Sequence, residues 1–493
     1  MPLSIKERFD QICSSAKLVG ANLVFVKDDK VIEKCHYGYR DLAKKEETSD
    51  KTIYRIASIS KTIGAIGLMQ LYEKGLFDLD GDISDILGFK VRNPKYPDDI
   101  ITPKMIMTQT SSIVDGYDDE DPKNNDIIKG YNGVNGSNLE VSLKDLLTNP
   151  NSQYYTDKTF SDYRPGERFI YSNFGCGIMA CMIEKLSGEY FTDYMINHVF
   201  KPLNIDGSFV STDILRKENI ASTYLPSDDG YVISRSREGF LSSSYKKWPL
   251  GDNFRGPAGG LFIDMDDLSR LMRMFINGGE VDGVRLLKKE TVDLMYQIHW
   301  IGVGGDSYRS KGLQMKVVDT FLDQDVIFRG HTGGAYGVRS YMFFNQKYNL
   351  GAIFITNGGY YKKDNEHNLL DVFYETLKLF IDEYYPKHKE SHFTFSVGSN
   401  VSKVDNRTII FDKEPFEYDG EVFVPFYNFC DGIETVGEKI EESDVIIIKK
   451  NGKETKTFSP TRFDGVIMIP LFKTLDALNM KYTKDNEKIE ISY

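Results

Sequence analysis

The sequence predicts an α/β (α+β) protein in two unequal parts, and three observations lead to this. Two β-rich runs, at 21–26 and 31–39, flank a short polar turn, which is the pattern of a β-hairpin. Apolar residues recur at three- and four-residue spacing in stretches such as 58–74, which is typical of a helix with one buried face. Near the C-terminus, Asp419-Gly420 and Asp464-Gly465 begin similar segments 45 residues apart, which indicates an internal repeat.

Length and composition favour a folded protein of more than one domain. The chain has 493 residues, of which 41% are hydrophobic, and this excludes disorder over most of its length. The net charge is -12 without a long Lys or Arg run, so nucleic acid is not expected as a partner. No window approaches the roughly 18 apolar residues of a spanning helix, so no membrane span is expected.

Disulfide, metal and cofactor chemistry are not expected either. The five cysteines are scattered and form no CxxC pattern, so neither a disulfide framework nor a zinc ribbon is indicated. The N-terminus has no basic segment followed by an apolar one. No secretory signal is therefore visible, and a cytoplasmic protein is the first expectation.

The first elements expected are the hairpin and a core helix. Residues 27–30 join the two β-rich runs. The helix is expected from Ser58 to Lys74, with Gly75 as its stop, because glycine tolerates the left-handed conformation that often ends a helix.

The stretch 115–160 differs from its surroundings because Asp, Asn, Gly and Lys dominate it. Such a composition predicts loops, with one short helix at 143–147. The acidic run Asp118–Asp121 lacks the spacing of a calcium loop, so a solvated surface loop is the better interpretation.

Further periodic stretches complete a first domain at 1–387. Helices are expected at 264–277, 289–298 and 369–384, and strands at 313–318, 325–329, 340–345 and 350–357. The polar segment Pro386–Glu390 then indicates a domain boundary.

The remaining residues, 395–493, predict a small α+β repeat domain. Each copy reads as strand, Asp-Gly turn, strand, proline before a helix, and closing strand. Lys450–Lys453 contains Asn-Gly between β-rich flanks, a further hairpin signal. Two such copies can share one core.

A candidate nucleophile stands at the start of the predicted core helix. Ser58 and Lys61 are three residues apart, which places both side chains on one helix face. A serine needs a base to become a nucleophile, and a desolvated lysine can act as one. Taken alone, the pair is more typical of a capping serine and a solvated lysine.

Two later segments add polar groups suited to the same chemistry. Tyr171 could carry a proton to a leaving group, and Asn173 could orient an amide through its donor and acceptor. His331 stands among Gly330, Gly333 and Gly334, where a lack of side chains lets a ligand approach a strand closely. Each residue alone is more often structural.

Together these blocks resemble the serine β-lactamase and penicillin-binding protein superfamily, in particular the branch of class C β-lactamases, D-peptidases and esterases. The resemblance covers about residues 5–385. Its blocks are Tyr54–Thr62, Asp78–Asp80, Ile101–Ser111, Pro165–Glu167, Tyr171–Asn173, Pro257–Leu261 and Gly330–Gly334. It implies a β-lactamase/DD-peptidase-like fold, with an antiparallel sheet flanked by helices plus an α-helical lobe.

Carried over residue by residue, the resemblance implies a catalytic set. Ser58 would be the acylated nucleophile, Lys61 its proton partner and Tyr171 the general acid/base. Whether Lys61 or Tyr171 takes the serine proton stays open.

The resemblance also implies a substrate-binding set. Asn173 would bind the substrate's amide, and His331, where many relatives have lysine, would polarise or bind the carboxylate side. Gly333 and Gly334 would line the site, and the backbone N–H groups of Ser58 and Gly334 would form the oxyanion hole.

Some positions depart from the pattern. Relatives usually have His where Gln109 stands and Gly where Ser112 stands, and both are expected to shape a loop rather than react. The resemblance places the long stretch 115–160 near the site entrance, where it would restrict substrates.

The tail resembles the copper amine oxidase-like N-terminal, or stalk, domain, on the segments Glu417–Phe426 and Arg462–Leu471. The last histidine is His392, so copper binding is not expected. Binding of cell wall or of a protein partner is the expected use of this module, and it would place the protein outside the cell, against the cytoplasmic expectation above.

The function expected from the whole is a serine acyl-transfer hydrolase acting on amide or ester bonds. D-amino-acid peptides, cell-wall (peptidoglycan) peptides, small esters and β-lactams are the candidate substrates. The alternative is a non-catalytic penicillin-binding or cell-wall-binding scaffold protein, which the departures at Gln109 and Ser112 would favour.

Overall fold

Helices and antiparallel sheets build the protein, which confirms the α+β expectation. Within the described part of the chain, no helix is both long and apolar enough to cross a membrane. The computed structural model describes residues 3–116, 129–243, 246–302, 310–318, 327–364, 369–385, 390–440, 445–450, 453–454 and 461–493.

The first part of the chain, up to residue 385, alternates helices with strands. Its helices are α1 (Ile5–Ser15), α2 (Ile59–Glu73), α3 (Ile83–Leu87), α4 (Pro103–Thr108), α5 (Gly130–Asn135), α6 (Leu143–Leu147), α7 (Asn173–Ser187), α8 (Phe191–Met195), α9 (Arg237–Ser242), α10 (Met265–Ile276), α11 (Lys289–Tyr296) and α12 (Asp371–Tyr384). Its strands are β1 (Gly20–Lys27), β2 (Lys30–Asp41), β3 (Glu46–Glu47), β4 (Ile53–Arg55), β5 (Thr223–Ser227), β6 (Gly230–Arg235), β7 (Phe262–Asp264), β8 (Glu280–Val281), β9 (Val284–Arg285), β10 (Trp300–Ile301), β11 (Ser310–Gly312), β12 (Met315–Val318), β13 (Phe328–Ala335), β14 (Val338–Asn345), β15 (Leu350–Thr356), β16 (Lys363–Asp364) and β17 (Leu369–Leu370).

A nine-stranded antiparallel sheet is the centre of this part, in the order β10-β11-β12-β13-β14-β15-β1-β2-β3. The predicted hairpin is confirmed, since β1 pairs with β2. Strand β13, which carries His331, pairs with β14 from Arg329 to Ala335. Its other side pairs with β12 only over Phe328–Gly330. Among the described residues, β13 therefore has an open edge from His331 onward.

The two faces of the sheet belong to two hydrophobic cores, as alternation along a strand requires. Leu23 and Phe25 of β1 pack on the side of α1 and α12, where the rings of Phe25 and Phe380 lie 4.7 Å apart. Val24 and Val26 face the opposite side, with α2 and α10.

Helix α2 is buried on nearly all sides, whereas the periodicity predicted one buried face. Its polar residues Ser60, Lys61 and Thr62 are as buried as its apolar ones. This is possible because each has hydrogen-bond partners, as Thr62 does in donating to the backbone oxygen of Gln314 at 2.6 Å. A polar sequence position on a helix therefore does not imply exposure here.

The described residues of the stretch 115–160 include the short α-helices α5 and α6, and the predicted helix at 143–147 is confirmed as α6. Tyr131 of α5 is buried and stacks on Phe174 with ring centroids 5.2 Å apart. The acidic run Asp118–Asp121 lies outside the described residues.

The tail follows the repeat that its sequence indicates. Its strands are β18 (His392–Ser396), β19 (Val401–Val404), β20 (Arg407–Ile410), β21 (Phe416–Tyr418), β22 (Glu421–Pro425), β23 (Gly437–Ile440), β24 (Val445–Lys450), β25 (Lys453–Glu454), β26 (Thr461–Phe463), β27 (Val466–Pro470), β28 (Lys481–Asp485) and β29 (Lys488–Ser492), and its helices are α13 (Phe426–Gly432) and α14 (Leu471–Leu478). Both Asp-Gly turns have positive φ at both residues, as tight hairpin turns require. The copies join where β22 pairs with β27.

The tail packs against the first part rather than standing apart from it. Ile298, Ile301 and Val317 of the first part share one hydrophobic core with the tail. The Gln297 side chain donates to the backbone oxygen of Ile410 at 2.7 Å and accepts from its N–H at 2.9 Å. The tail thus packs against α11, β10 and Val317 of β12, close to β13.

Candidate active site

Ser58 stands directly before α2, at the end of a strained turn. Ala57 has φ +51°, a left-handed conformation that residues with a β-carbon rarely adopt. Ser60 supports the turn, since its hydroxyl donates to Ala57 O at 2.6 Å and accepts from the N–H of Leu261 at 3.1 Å. Ile56 N donates to Leu261 O at 2.9 Å. A strained backbone conformation that several contacts hold in place is typical of functional sites.

Lys61 is fully buried and its amine points at Ser58. The amine donates to Ser58 Oγ at 3.1 Å, to Asn173 Oδ1 at 2.9 Å and to Ala258 O at 2.6 Å. These three hydrogen bonds satisfy the amine, as the burial of a polar group requires.

Tyr171 completes the group around the serine. Its hydroxyl lies 2.6 Å from Ser58 Oγ, and its ring centroid is 4.8 Å from the Lys61 amine. The structure therefore brings together Ser58, Lys61, Tyr171 and Asn173, which the sequence had placed in two separate segments.

Asp115 is a site residue that the sequence reasoning missed. Its carboxylate accepts from Asn173 Nδ2 at 2.8 Å, from Phe174 N at 2.8 Å and from Ser172 Oγ at 3.2 Å. Asn173 thus has a fixed orientation, with its oxygen towards Lys61 and one N–H towards Asp115. The second N–H of its amide remains available for a substrate.

Asp115→Ala is expected to slow acylation of Ser58 by about 10- to 100-fold, because a hydrogen bond to a charged group contributes roughly 1.5–3 kcal/mol. Without the carboxylate, the amide of Asn173 can rotate away from Lys61. The check is the rate of Ser58 labelling by a fluorophosphonate, with the exposed carboxylate variant Asp162→Ala as control. Equal rates in the two variants would remove the orienting role of Asp115.

His331 is fully buried on β13. Its Nδ1 lies 2.6 Å from Thr332 O, and its Nε2 has no hydrogen-bond partner among the described residues. Burial, with the positive charges of Lys316, Lys311 and Lys61, holds the pKa of His331 well below its usual value. A neutral ring offers a hydrogen bond at Nε2 rather than a positive charge, and the substrate-binding role of His331 stays a prediction.

The two glycines after His331 differ in their surroundings. A β-carbon on Gly333 would lie 2.3 Å from Ser340 Oγ and 2.6 Å from Ile56 O, so only glycine lets β13 approach the nucleophile turn this closely. Gly334 is exposed at the cleft. Its backbone N–H, with that of Ser58, stays the predicted oxyanion hole.

The departures at Gln109 and Ser112 lie in the loop that holds Tyr171. Gln109 O accepts from Ile170 N at 3.0 Å, and Gln109 Oε1 accepts from Ser172 N at 3.2 Å. Both Gln109 and Ser112 have positive φ, +60° and +65°. Gln109 thus contacts the backbone on both sides of Tyr171, whereas Ser112 O accepts from Ser161 N at 2.8 Å and Ser112 Oγ accepts from Asn93 Nδ2 at 3.2 Å.

Two buried lysines were also missed, because their strands gave no motif. Lys316 of β12 donates to Thr332 Oγ1 at 2.5 Å. Lys311 of β11 is fully buried, and its amine has no hydrogen-bond partner in the described ranges. Burial is the main cause that lowers the pKa of Lys311 to about 7, and the charge of Lys61 adds to it. Burial likewise lowers the pKa of Lys316.

Two relatives are among the proteins whose sequences are similar to the chain. Protein flp of Staphylococcus aureus (strain N315) is 24% identical over 342 residues, covering 69% of this chain and 59% of that protein. The N-acetylmuramyl-L-alanine amidase of Bacillus subtilis (strain 168) is 26% identical over 314 residues, covering 57% of this chain and 64% of that protein. The match to each relative thus spans less than two thirds of the relative's length.

The solved structures share the fold. The octameric penicillin-binding protein homologue from Pyrococcus abyssi has a TM-score of 0.57 at 18% identity, over 99% of both chains. The D-amino acid amidase from Ochrobactrum anthropi SV3, complexed with L-phenylalanine amide, has a TM-score of 0.56 at 17% identity, over 77% of this chain and 97% of its own. A sequence model of the beta-lactamase family matches residues 5–374. The chain therefore belongs to the beta-lactamase family.

Proposed function

We propose that the protein is a serine hydrolase that transfers an acyl group to Ser58 and then to water. The observation that carries this proposal is the position of Ser58 Oγ, 2.6 Å from the Tyr171 hydroxyl and 3.1 Å from the Lys61 amine. A serine hydroxyl held by two proton-transfer groups is the arrangement of an activated nucleophile.

The chemistry proposed has two halves. Ser58 Oγ attacks the carbonyl carbon of an amide or ester, and its proton passes to Lys61 or Tyr171, both within hydrogen-bond distance. The bond to the leaving nitrogen or oxygen breaks as that atom takes the proton. Water then attacks the ester on Ser58, and the proton it loses returns to Ser58 Oγ as the acid leaves.

Amides of D-amino acids and of cell-wall peptides are the proposed substrates, with small esters and β-lactams as further candidates. The family membership and the amidases among the similar proteins support an amide. Of the two departures that favoured a non-catalytic scaffold, Gln109 binds the backbone beside Tyr171 and Ser112 binds the backbone of Ser161. No observation therefore favours that alternative.

The tail is proposed to be a stalk-like module of the copper amine oxidase-like type, which takes no copper and binds cell wall or a protein partner. Its two hairpin–helix repeats support this proposal. Because the tail contacts α11 and β10, we also propose that it stabilises the hydrolase part of the chain.

Labelling with a neutral fluorophosphonate, read by mass spectrometry of the intact and digested protein, tests the proposed function. We expect one adduct on Ser58 and none in Ser58→Ala, because the probe reacts with activated serines. Ser242→Ala, which removes an exposed hydroxyl, should label like the wild type. A folded wild-type protein that remains unmodified at Ser58 would contradict the proposal.

A further inference from the structure

A cavity of about 840 Å³ lies between the tail and the first part of the chain. Small-molecule sites in proteins usually measure about 300–1,000 Å³. The first part lines this cavity with His299 and Trp300, and the tail lines it with Asp412 and Tyr427. None of the four residues gathered around Ser58 is among its described lining residues, so it is a separate site.

His299 brings an unpaired acceptor to the wall of this cavity. Its side chain is only 9% exposed. Its Nε2 lies 2.7 Å from Leu294 O, so Nε2 carries the proton and Nδ1 is an acceptor. Among the described residues, no hydrogen-bond partner reaches Nδ1. Burial and the charge of Lys104 lower the pKa of His299 to about 4, so the ring is neutral at physiological pH. Buried acceptors are normally paired, and we therefore expect a hydrogen-bond donor in the cavity.

Asp412 offers a second acceptor, from the tail. Its backbone N–H donates to Asn428 Oδ1 at 3.0 Å, but no hydrogen bond or ion pair joins its carboxyl to another described residue. The side chain is open to the cavity, yet desolvation by the surrounding protein raises the pKa of Asp412 to about 6. A ligand hydroxyl that displaces water here would form a charge-assisted hydrogen bond.

Lys439 of β23 supplies donors to the same cavity. Its amine donates to the Tyr427 hydroxyl and lies 5.7 Å from the centroid of the Trp300 ring. No further hydrogen bond joins this amine to a described residue, so two of its three N–H donors are available to a ligand. The cavity therefore combines unpaired acceptors, unpaired donors and aromatic rings.

The charges of the wall favour a neutral ligand. The described residues that line the cavity include four lysines or arginines and four aspartates or glutamates. A strongly charged ligand would therefore meet like charges as well as opposite ones. A hydroxyl group both donates and accepts, so it can pair with His299, Asp412 and Lys439 alike. The aromatic rings of the wall add apolar area beside these groups.

We propose that this cavity binds a neutral saccharide of disaccharide size. Its hydroxyls would donate to His299 and Asp412 and accept from Lys439. Its apolar ring faces would lie against Trp300 and Tyr427. The site does not depend on the acyl transfer proposed at Ser58. Because both parts of the chain contribute to the cavity, a bound sugar would also hold the tail and the first part together.

Calorimetric titration of the full chain with uncharged disaccharides tests this site. The probes are cellobiose, maltose and N,N′-diacetylchitobiose. We expect at least one of them to bind with a Kd of about 1 mM or tighter, and to raise the thermal midpoint at saturating concentration. Failure of all three to bind at about 10 mM would overturn the proposal.

Two variants identify the cavity as the place of binding. Asp412→Ala should weaken the affinity for the sugar by about 10- to 100-fold, and His299→Phe by about 2- to 10-fold, as expected for a charged and a neutral hydrogen-bond acceptor. The controls Asp476→Ala and His392→Phe change exposed residues that do not line the cavity, and they should bind like the wild type. Unchanged affinity in both Asp412→Ala and His299→Phe would overturn the proposal.

Comparison with Ser58 labelling separates this site from the acyl-transfer site. Ser58→Ala should bind the sugar as tightly as the wild type. A disaccharide that protects Ser58 from the fluorophosphonate, and that binds Asp412→Ala and His299→Phe as it binds the wild type, would lie in the cleft of Ser58 and contradict the proposal. Sugar binding that is lost in these variants, together with an absence of Ser58 labelling in the wild type, would instead support the cavity and reject the proposed function alone.

Discussion

Lys61→Met is expected to reduce the rate of Ser58 acylation by about 10²- to 10⁴-fold, the range that a positioned proton-transfer group contributes. Methionine fills a similar volume, so the change removes the amine and little else. When the amine is removed, Ser58 loses one of its two proton partners, and the hydrogen bonds that connect Asn173 to Ala258 through Lys61 are broken. The measurement is the second-order labelling rate with the neutral fluorophosphonate.

Two further measurements separate chemistry from folding in this variant. Lys51→Met removes a lysine that is exposed and paired with Asp266, and its labelling rate should equal the wild-type rate. The thermal midpoint of Lys61→Met should not fall greatly, because a buried charge is exchanged for an apolar group. A labelling rate within about tenfold of wild type would show that Tyr171 takes the serine proton without help from Lys61.

Asp431→Ala is expected to lower the free energy of unfolding by about 3–5 kcal/mol, the usual loss when one partner of a buried ion pair is removed. Asp431 of α13 binds Arg329 of β13 at 2.6 Å and Arg407 of β20 at 2.9 and 3.0 Å. Arg329 and Asp431 are fully buried. Without the carboxylate, two guanidinium groups would lose the one buried counter-charge that both of them contact.

The effect of Asp431→Ala should depend on pH. Burial opposes ionisation, but Arg407 and Arg329 outweigh it and hold the pKa of Asp431 below its usual value. A carboxyl with a lowered pKa stabilises the fold above its unfolded pKa of about 3.9. The difference in the free energy of unfolding between variant and wild type should therefore be largest at neutral pH. It should disappear as the pH falls below about 4 and through the pKa of Asp431 in the folded protein.

Urea unfolding at several pH values measures this difference, with Asp476→Ala as the control. Asp476 is exposed on α14, so its removal should change stability by no more than about 0.5 kcal/mol. A loss below about 1 kcal/mol in Asp431→Ala would mean that tail and first part unfold independently. Since Arg329 is two residues before His331 on β13, we also expect slower Ser58 labelling in the variant.

Local signals in the sequence were sufficient for much of the fold. The hairpin of β1 and β2 and the two tail repeats depend on residues that favour turns and on apolar residues at every second position. Both signals span only a few positions of the chain. Helix α1 was not anticipated, although Ser4 and Glu7 form the capping box that marks its start. That signal was present in the sequence and could have predicted the helix.

Long-range contacts explain what the sequence did not predict. Asp115 is recognisable only once its loop reaches α7, and Lys311 meets Lys316 through strand register. The contact between Arg329 and Asp431 joins residues 102 positions apart. No periodicity or spacing encodes such contacts, because they depend on how elements pack rather than on neighbours in the chain.

The sequence by itself determined the class of fold, the repeat in the tail and the four polar residues Ser58, Lys61, Tyr171 and Asn173, because short motifs and turns carry these. Only the tertiary structure decided which groups surround them. Burial lowers the pKa of His331, and strand pairing sets Lys311 opposite Lys316. The charge of a site depends on desolvation and on distances across the fold, and both exist only once the chain is packed.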